Sequence, residues 1–342
     1  MAYSPPFTIT SEILSLVARI SEHLGNLSAS INNKQALLLR KVNQVRTIHG
    51  SLAIEGNQLS EAQITAILDG KRVIAPVREV QEASNALAVY EQLDNWHYKK
   101  QSSLLAAHKA LMLGLIDSAG KYRSGGVGVV KAKKVIHMAP PADQVSRLMN
   151  DLFSWLSNTK EHPLIASCIF HYEFEYIHPF ADGNGRMGRL WQSLILTQHH
   201  SVFAYLPVES LIYKHQKQYY KALSDSTVAV DCAPFISFML LMIEQSLHGL
   251  LIAHQVSPQD DHQVSPQVNR LVLAMQGQFN EQGVSVFSRE ALQSLLSLSD
   301  RKSFNLRYIK PALVQGLIEM TIPDKPRSRS QQYRLTGLAN NN

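Results

Sequence analysis

The chain has 342 residues, 45% hydrophobic and 18% charged, with a formal net charge of +6. That is the make-up of a globular protein with room for two or three domains, and it excludes a low-complexity or disordered chain. The two cysteines, Cys168 and Cys232, form no Cys-x-x-Cys pair, which excludes a disulfide scaffold and a cysteine zinc site; a reducing, cytoplasmic location is expected. The N-terminus carries no basic segment followed by an apolar run. The longest apolar stretch, 235 to 252, is interrupted by Glu244, Gln245 and His248, so it reads as a buried helix and no membrane contact is expected.

In chain order, Thr10 or Ser11 caps a helix with Ile13, Leu14, Val17, Ile20 and Leu24 at helical spacing. A second helix starts at Asn32 or Asn33, carries Leu37, Leu38, Val42, Val45, Ile48, Leu52 and Ile54, and stops at Gly56-Asn57. Glu55 then falls in its last turn, where the helix dipole disfavours a negative charge. A cation from elsewhere in the fold is expected beside it. Ser60-Glu61 opens a short helix to about Leu68, and Pro76 precedes a long one with Val80, Ala83, Leu87, Tyr90 and Leu93 as its stripe. Another runs from about Ser102 to Ile116. The stretch from Gly120 to Pro141 differs, since Gly125, Gly126, Gly128 and β-branched runs around Lys131 to Lys134 predict a β-hairpin. Helices resume over about 142–156, 163–177, 185–197, 208–224 and 233–253.

The hexapeptide His-Gln-Val-Ser-Pro-Gln then occurs twice, at 254–259 and 262–267, around Asp260-Asp261. A repeated polar, proline-bearing segment has little to bury and reads as a linker. Beyond it come three predicted helices, 268–279, 288–296 and 300–316, and a basic turn-strand segment, 320–335, with Lys325, Arg327 and Arg329. From Arg270 onward there are ten Lys/Arg against five Asp/Glu, so most of the net positive charge lies here. Three helices and a basic wing predict a winged helix-turn-helix, with DNA as one partner it admits.

The densest chemistry lies in His178-Pro-Phe-Ala-Asp-Gly-Asn-Gly-Arg-Met-Gly-Arg189. A Gly-Asn-Gly turn entering a helix aims backbone N–H groups at one spot, where the helix dipole favours an anion. Arg186 and Arg189, three residues apart, share a helix face and suit bidentate phosphate binding, although surface arginines have the same spacing. His178, ordinarily a packed or solvated residue at such a helix end, is a candidate base beside that phosphate cradle. Asp182 is either a turn residue before glycine or a Mg²⁺ ligand, since magnesium is held by one or two carboxylates together with phosphate oxygens and water.

This stretch resembles the full signature of the Fic family, H-P-F-x-[D/E]-G-N-G-R-x-x-R, with no departure at a fixed position. The resemblance implies transfer of AMP from ATP to a target hydroxyl. His178 would be the base, Asp182 the Mg²⁺ ligand, the amides about Gly183, Asn184 and Gly185 the anion hole, Arg186 the phosphate contact and Arg189 the γ-phosphate contact. The related Doc kinases alter the Gly-Asn-Gly-Arg portion, so its intact form argues for adenylylation. Ser51-Leu-Ala-Ile-Glu55-Gly56 is similar to the family's inhibitory motif, [S/T]-x-x-x-E-[G/N], and implies that Glu55 pairs with Arg189 and blocks productive ATP.

The hairpin over 125–137, with Val127, Gly128, Val129 and Val130, resembles the family's target-docking flap, which holds a peptide by strand addition. Lys131, Lys133 and Lys134 make it basic. Tyr219-Tyr220 matches a pair that lies near the nucleotide in relatives, with helix packing an equal reading, and no equivalent of the adenine-reading asparagine is found. The expected architecture is therefore mainly α, a Fic helical core with a β-hairpin flap at 76–253. An N-terminal inhibitory helical segment at 1–75 precedes it; a linker at 254–267 and a winged helix-turn-helix at 268–342 follow. Expected partners are a protein with a Ser, Thr or Tyr hydroxyl and, from the resemblance, a second copy of the chain, with self-modification. Two alternatives stay open: removal of AMP at the same site, with Glu55 orienting a water, and transcriptional regulation through the C-terminal segment.

Overall fold

The computed structural model describes residues 3–30, 33–126, 128–131, 134–256, 266–282, 286–298, 300–314, 316–325, 328 and 330–336. Polar caps and prolines start the helices. At α1 (Ser11–Ser30) the Ile13 amide donates to Thr10 Oγ1 at 3.2 Å. At α3 (Glu61–Leu68) Ser60 and Gln63 form a reciprocal capping box. Between these lies α2 (Asn33–Ile54), and Gly56, at φ +94°, ends it with a left-handed residue that any side chain would strain.

The chain divides into two compact units, Met1–Ser257 and Pro258–Asn342. The first continues with α4 (Val77–Glu91), α5 (Gln101–Leu111), β1 (Gly128–Lys131), β2 (Lys134–Met138), α6 (Ala142–Asn158), α7 (Pro163–Ile177) and α8 (Asn184–His199). It closes with α9 (Val208–Lys214), α10 (Gln216–Ala229) and α11 (Ala233–Val256). β1 and β2 form the predicted antiparallel hairpin, pairing Gly128 with Met138 and Lys131 with Lys134, with a register shift between Val129 and Val130.

Two apolar clusters fill this unit, and α7 belongs to both. Its Leu164, Cys168 and Ile169 meet Ile13, Leu16 and Ile20 of α1 and Phe235, Ile236 and Met239 of α11. Its Phe170, Phe174 and Ile177 join Leu152 and Phe153 of α6 and Leu190, Trp191 and Leu194 of α8. A helix apolar on nearly every side must lie at the centre, and its end is therefore a fixed point for His178. Val45, Ile48 and Leu52 of α2 share the second cluster with Ala83, Leu87 and Tyr90 of α4. The expected boundary between residues 75 and 76 thus falls inside one packed unit. By length and composition α11 passes for a membrane span over Ala233–Leu251, with half of its most apolar window buried.

Two expectations shift in detail. Leu14 and Val42 are exposed, while Leu16 and Leu27 are buried, so the stripe of α1 turns slightly from the one predicted. The single helix expected over 208–224 breaks at His215, giving α9 and α10. Residues 257–265, most of the duplicated segment, lie outside the described residues.

The second unit runs α12 (Pro266–Gln282), β3 (Phe287–Ser288), α13 (Arg289–Leu295), α14 (Arg301–Phe304), a π turn (Asn305–Ile309), α15 (Lys310–Val314), β4 (Ile318–Met320) and β5 (Gln332–Leu335). Its antiparallel sheet has the order β3-β5-β4, with Phe287 and Met320 both opposite Tyr333. Val268, Leu271, Phe304, Ile309, Ile318 and Tyr333 build a core of its own. Arg327 and Arg329 lie outside the described residues.

Candidate active site

His178 is the residue at which α7 stops. Its backbone is left-handed, φ 50° and ψ 61°, a conformation that costs a non-glycine residue energy and persists only where the surroundings hold it. Its Nδ1 is buried and makes no hydrogen bond among the described residues, which leaves an unengaged proton-handling atom beside the next helix.

The loop from Phe180 to Gly183 is closed by Asn184, whose Oδ1 accepts from the Phe180 amide at 2.9 Å and whose Nδ2 donates to the Phe180 carbonyl at 2.8 Å. The Asn184 side chain is therefore committed inward, and only its backbone amide is available to an anion. Gly183, φ +84°, begins α8 without any side-chain cap, so the first amides of that helix keep their donors. A Cβ at Gly183 would come within 2.7 Å of Met112 Sδ, one reason for a glycine there.

Arg189 is 1% exposed. Its Nη2 donates to Glu55 Oε1 at 2.6 Å and to the Ser51 carbonyl at 3.0 Å, and its Nε donates to Ser51 Oγ at 3.1 Å. Residues of the two sequence motifs, 134 positions apart, thus meet in one contact. The Glu55 carboxylate lies directly over Gly185: a Cβ built there would collide with Glu55 Oε1 and stand 3.1 Å from Arg189 Nη1. Burial pulls the Arg189 pKa down, but the Glu55 carboxylate opposes this and the net shift is upward, so the cation is secure. The acid at the end of α2 has the cation that the helix dipole demanded.

Behind Arg189 lies a buried polar layer. Gly188 packs on His171 and Glu175, which stand 3.8 Å apart. His171 Nδ1 pairs with Gln192 Oε1 at 2.7 Å, and its Nε2 with the Tyr219 hydroxyl at 3.2 Å. Burial raises the Glu175 pKa, but the neighbouring His171 and the Arg189 charge outweigh it, so its carboxylate is held below the usual range. Tyr219 is 1% exposed and belongs to this layer and to the apolar core, the arrangement of its helix-packing reading. Tyr220 is partly buried against the same core.

Asp182 accepts from the Gly183 amide at 2.6 Å and from Arg186 Nη2 at 3.2 Å on one oxygen, and from Arg78 Nη2 at 3.1 Å on the other. No group of three or more His, Cys, Asp or Glu residues forms a metal site among the described residues. One partly exposed carboxylate beside an anion-binding helix start fits magnesium bound mainly through phosphate oxygens and water, with the Arg78 contact giving way. Arg186 is 6% exposed, lies 3.4 Å from Glu82 Oε1, and keeps a buried Nε without a partner among the described residues. Without an acceptor among the described residues, that donor suits a phosphate oxygen.

Several residues here were not anticipated. His108 stacks on Phe180 with ring centroids 3.6 Å apart, accepts the Gly120 amide on Nδ1 at 2.8 Å, and reaches the Asp182 carbonyl with Nε2 at 3.0 Å. Accepting on Nδ1 and donating on Nε2 requires neutral imidazole, and burial pushes its pKa down to about 4. Arg123 is 5% exposed, its guanidinium bonds only backbone carbonyls among the described residues, and burial lowers its pKa. Glu209 is buried against Ser193 Oγ at 2.7 Å, and Gln216 Nε2 donates to the Ile54 carbonyl at 2.7 Å, tying down the end of α2. No spacing pattern links any of these to the motif. Gly128, Val129 and Val130 form β1, while Val127 lies outside the described residues.

Residues 98–196 match the model of the Fic/DOC family, and residues 266–336 match that of the Filamentation induced by cAMP protein Fic-like, C-terminal domain. A crystal structure of a Fic family protein from Desulfovibrio desulfuricans G20 is 47% identical, with a TM-score of 0.72 over 98% of this chain and 99% of that one. A Fic domain containing signaling protein from Bacteroides thetaiotaomicron VPI-5482, 17% identical, shares the fold at a TM-score of 0.58 over 74% of this chain and 100% of its own. A relative named protein adenylyltransferase Fic from Nematostella vectensis is 30% identical over 224 residues, 62% of this chain and 49% of that protein. One of the same name from Aedes aegypti is 29% identical over 243 residues, 67% of this chain and 46% of that protein. The chain spans about half the length of these curated relatives. With near-complete coverage at 47% identity and an unbroken motif around His178, the chain belongs to the Fic family.

Proposed function

We propose that the protein transfers AMP from ATP to a hydroxyl side chain of a target protein, and that the arrangement described above is its inhibited state. The observation that carries this reading is the Glu55 carboxylate on buried Arg189, over the first turn of α8. A carboxylate there takes the place that an anion-binding helix start offers to phosphate. With Glu55 moved away, Arg189 and the partnerless Nε of Arg186 would hold the outer phosphates of ATP. The first amides of α8 would then stabilise charge developing on the α-phosphate. Magnesium, held by Asp182 and phosphate oxygens, would supply charge neutralisation along the triphosphate.

In the reaction the target's hydroxyl oxygen bonds to the α-phosphorus, the bond from that phosphorus to the bridging oxygen breaks, and pyrophosphate leaves. His178 takes the hydroxyl proton. The named relatives, protein adenylyltransferases from two animals, support this chemistry. The test is incorporation of label from α-labelled ATP. Glu55→Gly should raise incorporation into the chain itself or a cell extract at least tenfold over wild type, and His178→Ala in that background should abolish it. Equal labelling by wild type and Glu55→Gly would refute the inhibitory role of Glu55.

A second reading concerns the C-terminal unit. Arg301, Arg307 and Lys310 are exposed along the α14 to α15 stretch, and helix, strand, two helical segments and two strands follow in winged-helix order. This supports a phosphate-binding face and DNA as a further partner.

A further inference from the structure

We infer that Arg123 is a positioning residue that holds His178 and the two stems of the hairpin as one rigid assembly, so that base and docked target keep a fixed separation. The inference rests on the AMP-transfer reading for its functional meaning and on geometry for its substance. Arg123 Nε donates to the His178 carbonyl at 2.8 Å, its Nη2 to the Ile177 carbonyl at 3.3 Å, and its backbone amide to the Pro179 carbonyl at 2.9 Å. One residue thus satisfies three consecutive carbonyls where α7 ends. Terminal carbonyls of a helix lack intrahelical donors and form its negative pole, which explains a buried guanidinium with no carboxylate bonded to it among the described residues.

The same side chain reaches the hairpin. Nη1 donates to the Gly125 carbonyl at 2.9 Å and Nη2 to the Pro140 carbonyl at 2.5 Å. Gly125 lies just before β1 and Pro140 just after β2, so both strands are anchored at their bases to the residue that anchors His178. His178 has a left-handed backbone that its surroundings must hold, and Arg123 supplies bonds to the carbonyl on either side of it and to its own. Only a planar fork of five donors meets carbonyls in so many directions; a lysine carries the charge but offers three donors on one atom.

The test places Arg123→Lys and Arg123→Ala in the Glu55→Gly background. Both variants should bind ATP, measured by calorimetry, within about twofold of the parent. Self-labelling at saturating ATP should fall at least tenfold, and ethylguanidinium but not ethylammonium should restore part of it to Arg123→Ala. By hydrogen exchange, the bonded amides of Arg123, His178 and Phe180 and those of the paired strands β1 and β2 should lose protection together while those of α8 keep theirs. Full labelling by Arg123→Lys, or loss of ATP binding in step with labelling, would overturn the inference. So would loss of the folded state in both variants, which would make Arg123 a structural cap. If Glu55→Gly itself transfers no AMP, the reading of the reaction fails, while the exchange measurement still decides whether Arg123 joins the two segments.

Discussion

Arg189 carries its charge at 1% exposure because opposite charge reaches it from two directions, Glu55 at the surface side and Glu175 from the layer behind. A buried cation left unpaired costs several kcal/mol, so the second carboxylate is what lets the first depart. His108 presents the opposite case, a buried group kept neutral by its bonds. Its pKa is about 4 in the folded chain and about 6.5 when unfolded. Between these values the unfolded chain binds a proton that the folded chain refuses. Its contribution is therefore complete above about pH 6.5 and is lost as pH falls toward 4, with a slope of up to about 1.4 kcal/mol per pH unit. Urea unfolding followed from pH 7 to pH 4.5 should show this decline in the first unit, and His108→Gln should flatten it; an unchanged slope would count against the assignment. The motif residues were legible because their spacing is local. Arg123 and His108 were not, since their partners are backbone atoms 55 and 74 positions away, which no periodicity encodes.

At the scale of elements, the proposed inhibition would depend on how closely α2 lies on α9. A Cβ at Gly50 would come within 2.6 Å of the Glu209 carbonyl carbon and the Ser210 amide, both backbone and unable to yield as a side chain would. Gly50→Ala should favour the helix locally, by about 0.8 kcal/mol or more, yet lift it from α9. The expected outcome is labelling severalfold above wild type with Glu55 intact, read with α-labelled ATP, and labelling at the wild-type level would contradict it. Element positions followed from punctuation where punctuation exists: Pro163 and the start of the motif give the observed bounds of α7. They failed at His215, where neither glycine nor proline marks the break between α9 and α10, and in 300–316, where a π turn leaves no compositional trace.

On the scale of the whole molecule, the site is built within the first unit and the exposed basic stretch belongs to the second, each with its own core. If the second unit meets DNA through phosphates, the logarithm of the full-length chain's affinity should fall linearly with the logarithm of salt concentration. Arg307→Ala and Lys310→Ala should each reduce that slope by about 1 without altering AMP transfer. Retention that ignores salt, or no retention at low salt, would refute this partner. Within the first unit, Val45, Ile48 and Leu52 are no more than 6% exposed and share a core with α4 and α8. Exposing three such side chains costs about 5–9 kcal/mol, at roughly 1.5–3 kcal/mol each. Molecules with α2 fully detached would thus be outnumbered roughly a thousandfold to a millionfold, at about 1.4 kcal/mol per factor of ten. If Glu55 inhibits as proposed, basal labelling would come from swings of its side chain about the end of a helix that stays docked, and an activator would have only that last turn to hold open.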